Sequence, residues 1–236
     1  MNLRVKFTKE NYLKYISHLD LMRLFQRTFR RGNIPIKYSE GFNPQPKLSI
    51  ANPLALGISS VEEYMDIELY EKMSTENFIN RMNEELPEDI RILDAKYIEG
   101  DKSISSLISW SYYEIEFKLY NLENNETLER LVRDWLGEDK IVIKKIKHKG
   151  KRIIEKDQDI RPLIGNVVVN SQCSIDDLHL VKLNCLLKAG DNGNLKPIDF
   201  IKAMDKYLNI GIDFDTLNIK RIGLFMEHEG KIESPL

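Results

Sequence analysis

The sequence has few cysteines, no long apolar run and no excess of either charge, and each absence excludes a class of protein. Only Cys173 and Cys185 occur, without a CxxC pair or a three-cysteine motif, so we expect no zinc, no iron–sulfur cluster and no other cofactor. No run approaches the roughly 20 apolar residues that span a bilayer. The alternating start Leu3–Phe7 has no signal-peptide core. We therefore expect a cytoplasmic protein with buried free thiols.

Charge is balanced over the whole chain but not locally. The 35 Lys and Arg residues against 37 Asp and Glu give a net charge of −2, which argues against a protein that coats nucleic acid indiscriminately. Basic residues are nevertheless concentrated in one predicted helix and in the run from Lys144 to Arg152. A focused basic site can bind a polyanion even when the net charge is near zero.

The order of predicted elements indicates an α+β protein with two similar halves. Strand-like segments around helices at 17–31 and 74–86 give the first half the ferredoxin-like order β-α-β-β-α-β. The second half repeats this order more loosely, with helices at 126–136 and 197–208. We predict tandem ferredoxin-like domains with antiparallel sheets at 1–100 and 110–236, joined by a polar linker at 101–109.

The first helix has a predicted start and two distinct faces. Ser17 followed by Asp20 predicts a capping box with Asp in place of Glu, which puts His18 at the first helical position. His18 is the one candidate catalytic residue, although a capping or packing role explains it equally well. Opposite an apolar face lie the basic residues of this helix, namely Arg23, Arg27, Arg30 and Arg31. They form either a solvated face or a surface that binds phosphate or carboxylate through the fork of the guanidinium group.

The segment from Tyr38 to Ser49 is a loop stiffened by one glycine and two prolines. Phe42, Asn43 and Lys47 offer an aromatic ring, an amide and a cation, which together can hold a base, a peptide or a carboxylate. Alternatively, the loop packs against the first helix and braces it.

A second basic segment is predicted to form a β-hairpin that turns at Gly150. Its candidate RNA contacts are Lys144, Lys145, Lys147, Lys149, Lys151 and Arg152. Such a tip can enter a groove or track phosphates, or it can be a solvated edge that resists aggregation.

Together, several of these segments resemble the bacterial radical-SAM-associated proteins of unassigned function. The resemblance is strong over residues 1 to 100 and is carried by Ser17-His18-Leu19-Asp20, Arg23, Arg30-Arg31, the segment from Tyr38 to Pro44, Pro46-Lys47, and Gly57 followed by Glu62-Glu63-Tyr64. Members of this family are fused to, or encoded beside, a radical-SAM protein. The resemblance therefore implies a partner that performs the chemistry, and it supplies no reaction for this chain.

One residue departs from the family pattern. Where the family usually has a histidine between the two prolines, this sequence has Gln45. Glutamine can replace a hydrogen bond but cannot relay a proton near neutral pH, so a catalytic or metal-binding role for this position is not expected here.

These observations favour an accessory protein without catalysis of its own. We expect it to bind tRNA or rRNA for modification by a radical-SAM partner. Two alternatives stay open: a protein scaffold that binds only the radical-SAM partner, and a metal-independent RNA endonuclease in which His18 is the general base. The nuclease would need a second acid–base group, which the sequence does not reveal.

Overall fold

The computed structural model describes residues 1–100, 102–119, 125–149, 152–175 and 178–236. It is an α+β structure with mostly antiparallel strands, which confirms the predicted class. The chain divides into two compact units, Met1–Ser111 with Lys220–Leu236, and Tyr112–Ile219. This division differs from the predicted one, because the end of the chain returns to the first unit.

The first unit follows the order β-α-β-β-α-β, with short helical additions. It contains β1 (Asn2–Lys9), a 3-10 helix (Asn11–Tyr15), α1 (His18–Arg31), β2 (Leu48–Ile50), β3 (Ser59–Glu68), α2 (Thr75–Glu85), β4 (Ile92–Ile98) and α3 (Ile104–Leu107). In its sheet, β1 lies between β4 and β3, and β2 pairs with β3, all antiparallel. The predicted linker at 101–109 thus contains α3 and the start of the next strand.

The second unit has more strands than a ferredoxin-like half requires. Along the chain come β5 (Ile108–Leu119), which starts in the first unit, α4 (Asn125–Leu136), β6 (Val142–Lys149), β7 (Arg152–Asp159), a 3-10 helix (Arg161–Leu163), β8 (Ile164–Ile175), β9 (Leu178–Lys188), α5 (Pro197–Leu208) and the first part of β10 (Ile212–His228). The rest of β10 and β11 (Lys231–Glu233) belong to the first unit. Strand order within the unit is β5-β9-β8, and β6 pairs only with β7 among the described strands. Four described strands lie between α4 and α5, where the ferredoxin-like order has two.

Helix α1 packs on the sheet through its apolar face. Leu21, Phe25 and Phe29 are buried, and the Phe25 ring meets the Phe7 ring of β1 edge-on with centroids 5.1 Å apart. Leu24 is only partly buried. It lies at the margin of the apolar face. The opposite side of the helix, which carries the arginines, is exposed to solvent.

The two ends of α1 are defined by different chemistry. Ser17 is the N-cap, and its hydroxyl oxygen accepts a hydrogen bond from the Asp20 backbone N–H at 3.1 Å. At the other end Asn33, rather than Gly32, takes the left-handed conformation, with φ of 50°. Gly32 is needed for space instead: a Cβ there would lie 3.2 Å from the Arg81 carbonyl oxygen of α2.

The C-terminal segment is fixed to the first unit by buried polar contacts. Lys220 and Arg221 of β10 pair in parallel with Ser59 and Ser60 of β3. This pairing departs from the antiparallel sheets that were predicted. The Ser60 hydroxyl donates to the Arg221 carbonyl oxygen at 3.2 Å, so the sheet of the first unit is completed by the end of the chain.

Candidate nucleic-acid interface

Three arginines form a stripe along the exposed side of α1. Arg23, Arg27 and Arg30, the arginine stripe, recur at i, i+4 and i+7 and therefore share a helix face. The guanidinium of Arg23 pairs with the Asp20 carboxylate at 3.0 Å. Arg27 and Arg30 are exposed, and their side chains have no hydrogen-bond or ion-pair partner among the described residues. Two guanidinium forks are thus available to an anion from solvent.

Other predicted contact residues nearby have their charges balanced. Arg31 pairs with the Glu85 carboxylate at 2.7 Å and also donates to the Glu85 carbonyl oxygen. Lys47 lies 2.8 Å from the Glu68 carboxylate, which Lys37 contacts as well. These two lysines hold the pKa of Glu68 at about 2, with the Lys37 hydrogen bond as the largest cause. Arg31 and Lys47 are therefore weaker candidates for anion contact than Arg27 and Arg30.

The proline loop, residues 38–47, is closed at its base and projects a single aromatic ring. The Ser39 N–H donates to the Gln45 carbonyl oxygen at 2.8 Å, and the Gln45 N–H donates to the Ser39 hydroxyl at 3.0 Å. Gly41 has φ of 124°, a backbone conformation that favours glycine and turns the chain at the tip. Phe42 is as exposed as in an extended peptide, at 112%. Within the described part of the chain the ring packs on no other residue, so it is free to meet a ligand.

Gln45 connects this loop to α1. Its side-chain oxygen Oε1 accepts a hydrogen bond from the Gln26 side-chain amide at 3.3 Å, and its own side-chain amide Nε2 donates to the Asn43 side-chain oxygen at 3.2 Å. A neutral imidazole also offers one donor and one acceptor. The glutamine therefore bridges the loop and the helix in a way that a histidine at this position could also do, without proton transfer. Because Gln26 adjoins Arg27 and precedes Arg30 by one turn, the bridge holds the proline loop beside the arginine stripe.

His18 lies at the start of α1, as predicted. Its side chain is half-buried, and Nδ1 is buried without a hydrogen-bond partner among the described residues. The adjacent Ser17 hydroxyl donates to the Asp20 carboxylate at 2.6 Å, and this bond is the main cause that lowers the pKa of Asp20. None of the described side chains is hydrogen-bonded to His18, so the structure supplies no acid–base partner for it.

Sequence reasoning missed a buried group of charges behind the start of α1. Arg221 donates from Nε to the Glu63 carboxylate at 2.7 Å, and both side chains are almost inaccessible. Lys9, also buried, donates to the Ile16 carbonyl oxygen at 3.0 Å, and burial lowers its pKa. Because Glu63 and Arg221 are 158 residues apart in the sequence, no local pattern could have paired them. The group ties the chain just before Ser17 to the sheet.

The proline loop is not the only exposed apolar surface in the first unit. Tyr12 and Tyr15 are exposed at the i and i+3 positions of the 3-10 helix, which brings them to one side. Leu19 is exposed on the first turn of α1. Leu56 is also exposed, and it precedes Gly57, whose backbone N–H donates to the Lys14 carbonyl oxygen at 2.9 Å. Tyr12, Tyr15, Leu19 and Leu56 are called the tyrosine patch below. Clusters of this kind are often interaction sites.

The second predicted basic segment is a hairpin in the other unit. The pairing of β6 with β7, with Lys149 opposite Arg152, confirms the predicted hairpin. Lys144 pairs loosely with Glu155 at 3.4 Å, while Lys145 has no ion-pair partner among the described residues. Lys151 lies outside the described residues, as do the side chains of Lys147, Lys149 and Arg152. A shared binding face with α1 stays a prediction.

One thiol is described. Cys185 is free and buried, and burial raises the pKa of its thiol. The side chain of Cys173 lies outside the described residues. Within the described ranges there is no group of three His, Cys, Asp or Glu residues able to hold a metal ion, and the helices are all too short or too polar to cross a membrane.

With the geometry in view, comparison with known proteins gives a family and a fold. Residues 2–197 match the family model described as "Uncharacterized protein conserved in bacteria (DUF2344)". The chain belongs to this bacterial family. The match includes α1, the proline loop and the β6–β7 hairpin. It agrees with the bacterial resemblance inferred from the sequence, whereas a radical-SAM partner is a matter for proposal. No curated protein matches the chain.

The fold of the DUF2344 chain is similar to that of one chain in the crystal structure of a Cbf5–Nop10–Gar1 complex. The TM-score is 0.52 at 10% sequence identity, and the match covers 94% of this chain and 48% of the other. The DUF2344 chain thus spans about half the length of that structural relative. At this identity the likeness concerns the fold alone.

Proposed function

We propose that this DUF2344 protein is a cytoplasmic, non-catalytic subunit that binds tRNA or rRNA and presents it to a radical-SAM enzyme. The observation that supports it best is the pair of exposed arginines, Arg27 and Arg30, which have no carboxylate partner among the described residues and lie beside a loop that exposes Phe42. Nearby cations are neutralised by Asp20, Glu85 and Glu68. The free positive charge is therefore concentrated where an aromatic ring is also available.

The chemistry of these groups suits a nucleic acid better than a small anion. A guanidinium binds phosphate bidentately, and residues on adjacent turns of a helix can each meet one phosphate. A small anion would leave the exposed ring unused. A nucleic acid supplies both phosphates and a flat base in one ligand. The β6–β7 hairpin would extend the contact if its lysines also met the backbone.

The radical-SAM part of the proposal rests on the resemblance carried by the α1 and proline-loop motifs. Neither the sequence nor the described residues provide a complete catalytic set, since His18 has no acid–base partner. A protein that binds RNA for modification without modifying it needs a partner enzyme that carries out the reaction. The two-half ferredoxin-like plan is likewise proposed, from the element order and sheet order of the first unit.

A salt titration tests RNA binding. Wild type and the Arg27→Ala/Arg30→Ala variant are titrated with tRNA and rRNA fragments at several salt concentrations. Each lost phosphate contact should flatten the slope of log K against log salt by about 0.7 to 0.9. The control is Lys202→Ala/Lys206→Ala, which removes the same charge from the exposed side of α5 and should leave the slope unchanged. Identical curves for wild type and the arginine variant would contradict the assignment of this face.

The tyrosine patch favours a second candidate function, a scaffold that binds only a partner protein. Tyrosines and leucines that are exposed together are typical of protein interfaces. If the scaffold is correct, Tyr12→Ser/Tyr15→Ser should abolish co-purification with the radical-SAM partner, while wild type binds no RNA at any salt concentration. RNA binding by wild type with the salt dependence described above would instead support the first function.

A further inference from the structure

We infer that the RNA bound at this site is single-stranded, with an unpaired base stacked on Phe42 and adjacent phosphates held by Arg27 and Arg30. This inference rests on the proposed RNA-binding function and adds the class of RNA. It follows from the exposure of the ring, the stiffness of the loop and the position of the loop beside the arginine stripe.

The exposure of Phe42 is unusual for a phenylalanine. Fully burying such a side chain contributes favourable free energy in folding, and here none of it is used, since the ring is exposed at 112%. The exposed tyrosines carry a hydroxyl that water can solvate, whereas Phe42 carries none. An apolar ring on a loop tip is thus available for a flat apolar surface, and every nucleobase has such a face.

The loop is held in place before any ligand arrives. The reciprocal bonds between Ser39 and Gln45 close its base, and the contact between Tyr38 and Pro46 continues the closure. Gln45 then joins the loop to Gln26 on α1. Because few rotations are lost when such a loop binds, the stacking free energy is not spent on ordering the loop.

The exposed Phe42 ring and the two arginines together favour single-stranded RNA over a duplex. In an A-form duplex the base faces are covered by stacking, and a protein meets mostly phosphates and 2′-hydroxyls. Arg27 and Arg30 could contact a duplex backbone, but Phe42 would then have no partner. In a loop or single strand a base can turn outward, so that the ring and both guanidinium groups are engaged together. Charge complementarity at the arginine stripe favours this ligand over an apolar protein segment.

The test compares one 16-nucleotide RNA without self-complementarity with the duplex that it forms with its complement. Wild type should bind the single strand more tightly than the duplex. Phe42→Ala should weaken single-strand binding between about 5-fold and 100-fold and leave duplex binding unchanged. Phe42→Trp should retain the affinity, whereas Phe42→Leu, which keeps an apolar side chain without a ring, should resemble Phe42→Ala. Arg27→Ala/Arg30→Ala should weaken binding of both RNAs.

The outcomes separate this inference from the proposed function. If wild type binds both RNAs equally and Phe42→Ala has no effect, RNA binding stands and the single-strand inference is wrong. The same result is expected if the loop docks a protein instead. If wild type binds neither RNA, both fail. Because the Phe42 ring is fully exposed and packs on none of the described residues, unfolding curves of its variants should match wild type, which separates loss of binding from loss of folding.

Discussion

Arg221 and Arg27 place the same guanidinium group in opposite surroundings. Arg221 is buried in the first unit, where it donates to both oxygens of Glu63 and to the Asn52 carbonyl oxygen. Arg27 is exposed on α1, with no partner among the described residues. Burying a charge is costly unless it is paired and hydrogen-bonded, so Arg221 is committed to its partners. An exposed arginine remains solvated and can exchange water for a ligand.

The difference shows which charges hold the site and which can act in it. The group of Lys9, Glu63 and Arg221 fixes the chain that enters α1, because Lys9 binds the carbonyl oxygen of Ile16, one residue before the N-cap. The arginine stripe then projects from a helix whose start is anchored. Structural and functional charges lie in the same unit, and their burial and pairing distinguish them better than their residue type.

Breaking the buried pair is expected to have one of the two largest effects on stability. Arg221→Met leaves the Glu63 carboxylate buried without its fork, which should lower the free energy of unfolding by about 3 to 5 kcal/mol. Arg221→Lys keeps the charge but loses the bidentate geometry, so its loss should be smaller. Urea unfolding measures both. A loss below about 1 kcal/mol for Arg221→Met would show that the pair is not structural.

The next effect concerns two neighbouring residues on the apolar side of α1. Phe25 is fully buried against Phe7, and Phe25→Ala should cost about 3 to 5 kcal/mol. Leu24 is only partly buried, so Leu24→Ala should cost less than about 2 kcal/mol. Urea unfolding of both variants checks the order. Equal losses would mean that the helix is rotated relative to the described orientation.

The positions of Leu24 and Phe25 also show how much of the fold could be predicted from the sequence. The helical period placed Phe25 inside and Arg27 outside, and the Ser17 cap marked the start of α1, because these signals are local. The same logic found α2, α5 and the β6–β7 hairpin. The margin of the apolar face was not predictable, because the sheet decides how far Leu24 is covered.

The remaining features of the fold and the site could not be predicted from the sequence, because they depend on contacts between residues far apart in the chain. The return of Lys220–Leu236 to the first unit depends on contacts such as that between Arg4 and the Pro235 carbonyl oxygen, 231 residues apart. Phe42 could be named from the sequence as a candidate contact on the proline loop. Arg27 and Arg30 could be named as basic residues opposite the apolar face of α1. That Arg31 and Lys47 are neutralised by Glu85 and Glu68 required the positions of other elements.

A smaller effect is expected from Glu68, the partly exposed carboxylate that neutralises Lys47. The pKa of Glu68 is depressed to about 2 from 4.5 by Lys37 and Lys47. Its contribution to stability is therefore present above about pH 4.5 and is lost as the pH falls towards 2. The advantage of wild type over Glu68→Gln should be at most about 1 kcal/mol, since solvent screens the pair, and should shrink across this window. Unfolding at pH 6, 4 and 3 measures it, and a constant difference would contradict the depressed pKa.

The smallest effect on stability is expected from the arginine stripe itself. Arg27→Ala/Arg30→Ala should change the free energy of unfolding by no more than about 0.5 kcal/mol, because neither side chain has a partner among the described residues. Two opposing electrostatic effects keep this change in the free energy of unfolding small. Removing Arg27 relieves repulsion from Arg23 and Arg31 one turn away, whereas removing Arg30 loses a favourable cation in the last turn.

Urea unfolding of this variant is compared with that of Arg31→Ala, which loses a pair with Glu85 and should be destabilised by up to about 1 kcal/mol. A loss above about 1 kcal/mol for the double variant would give the stripe a structural role and remove the contrast with Arg221. If stability is retained while RNA affinity falls, the two unpaired arginines contribute to binding and not to folding. Exposed cations without partners would then locate the binding face of this family better than its basic residues counted together.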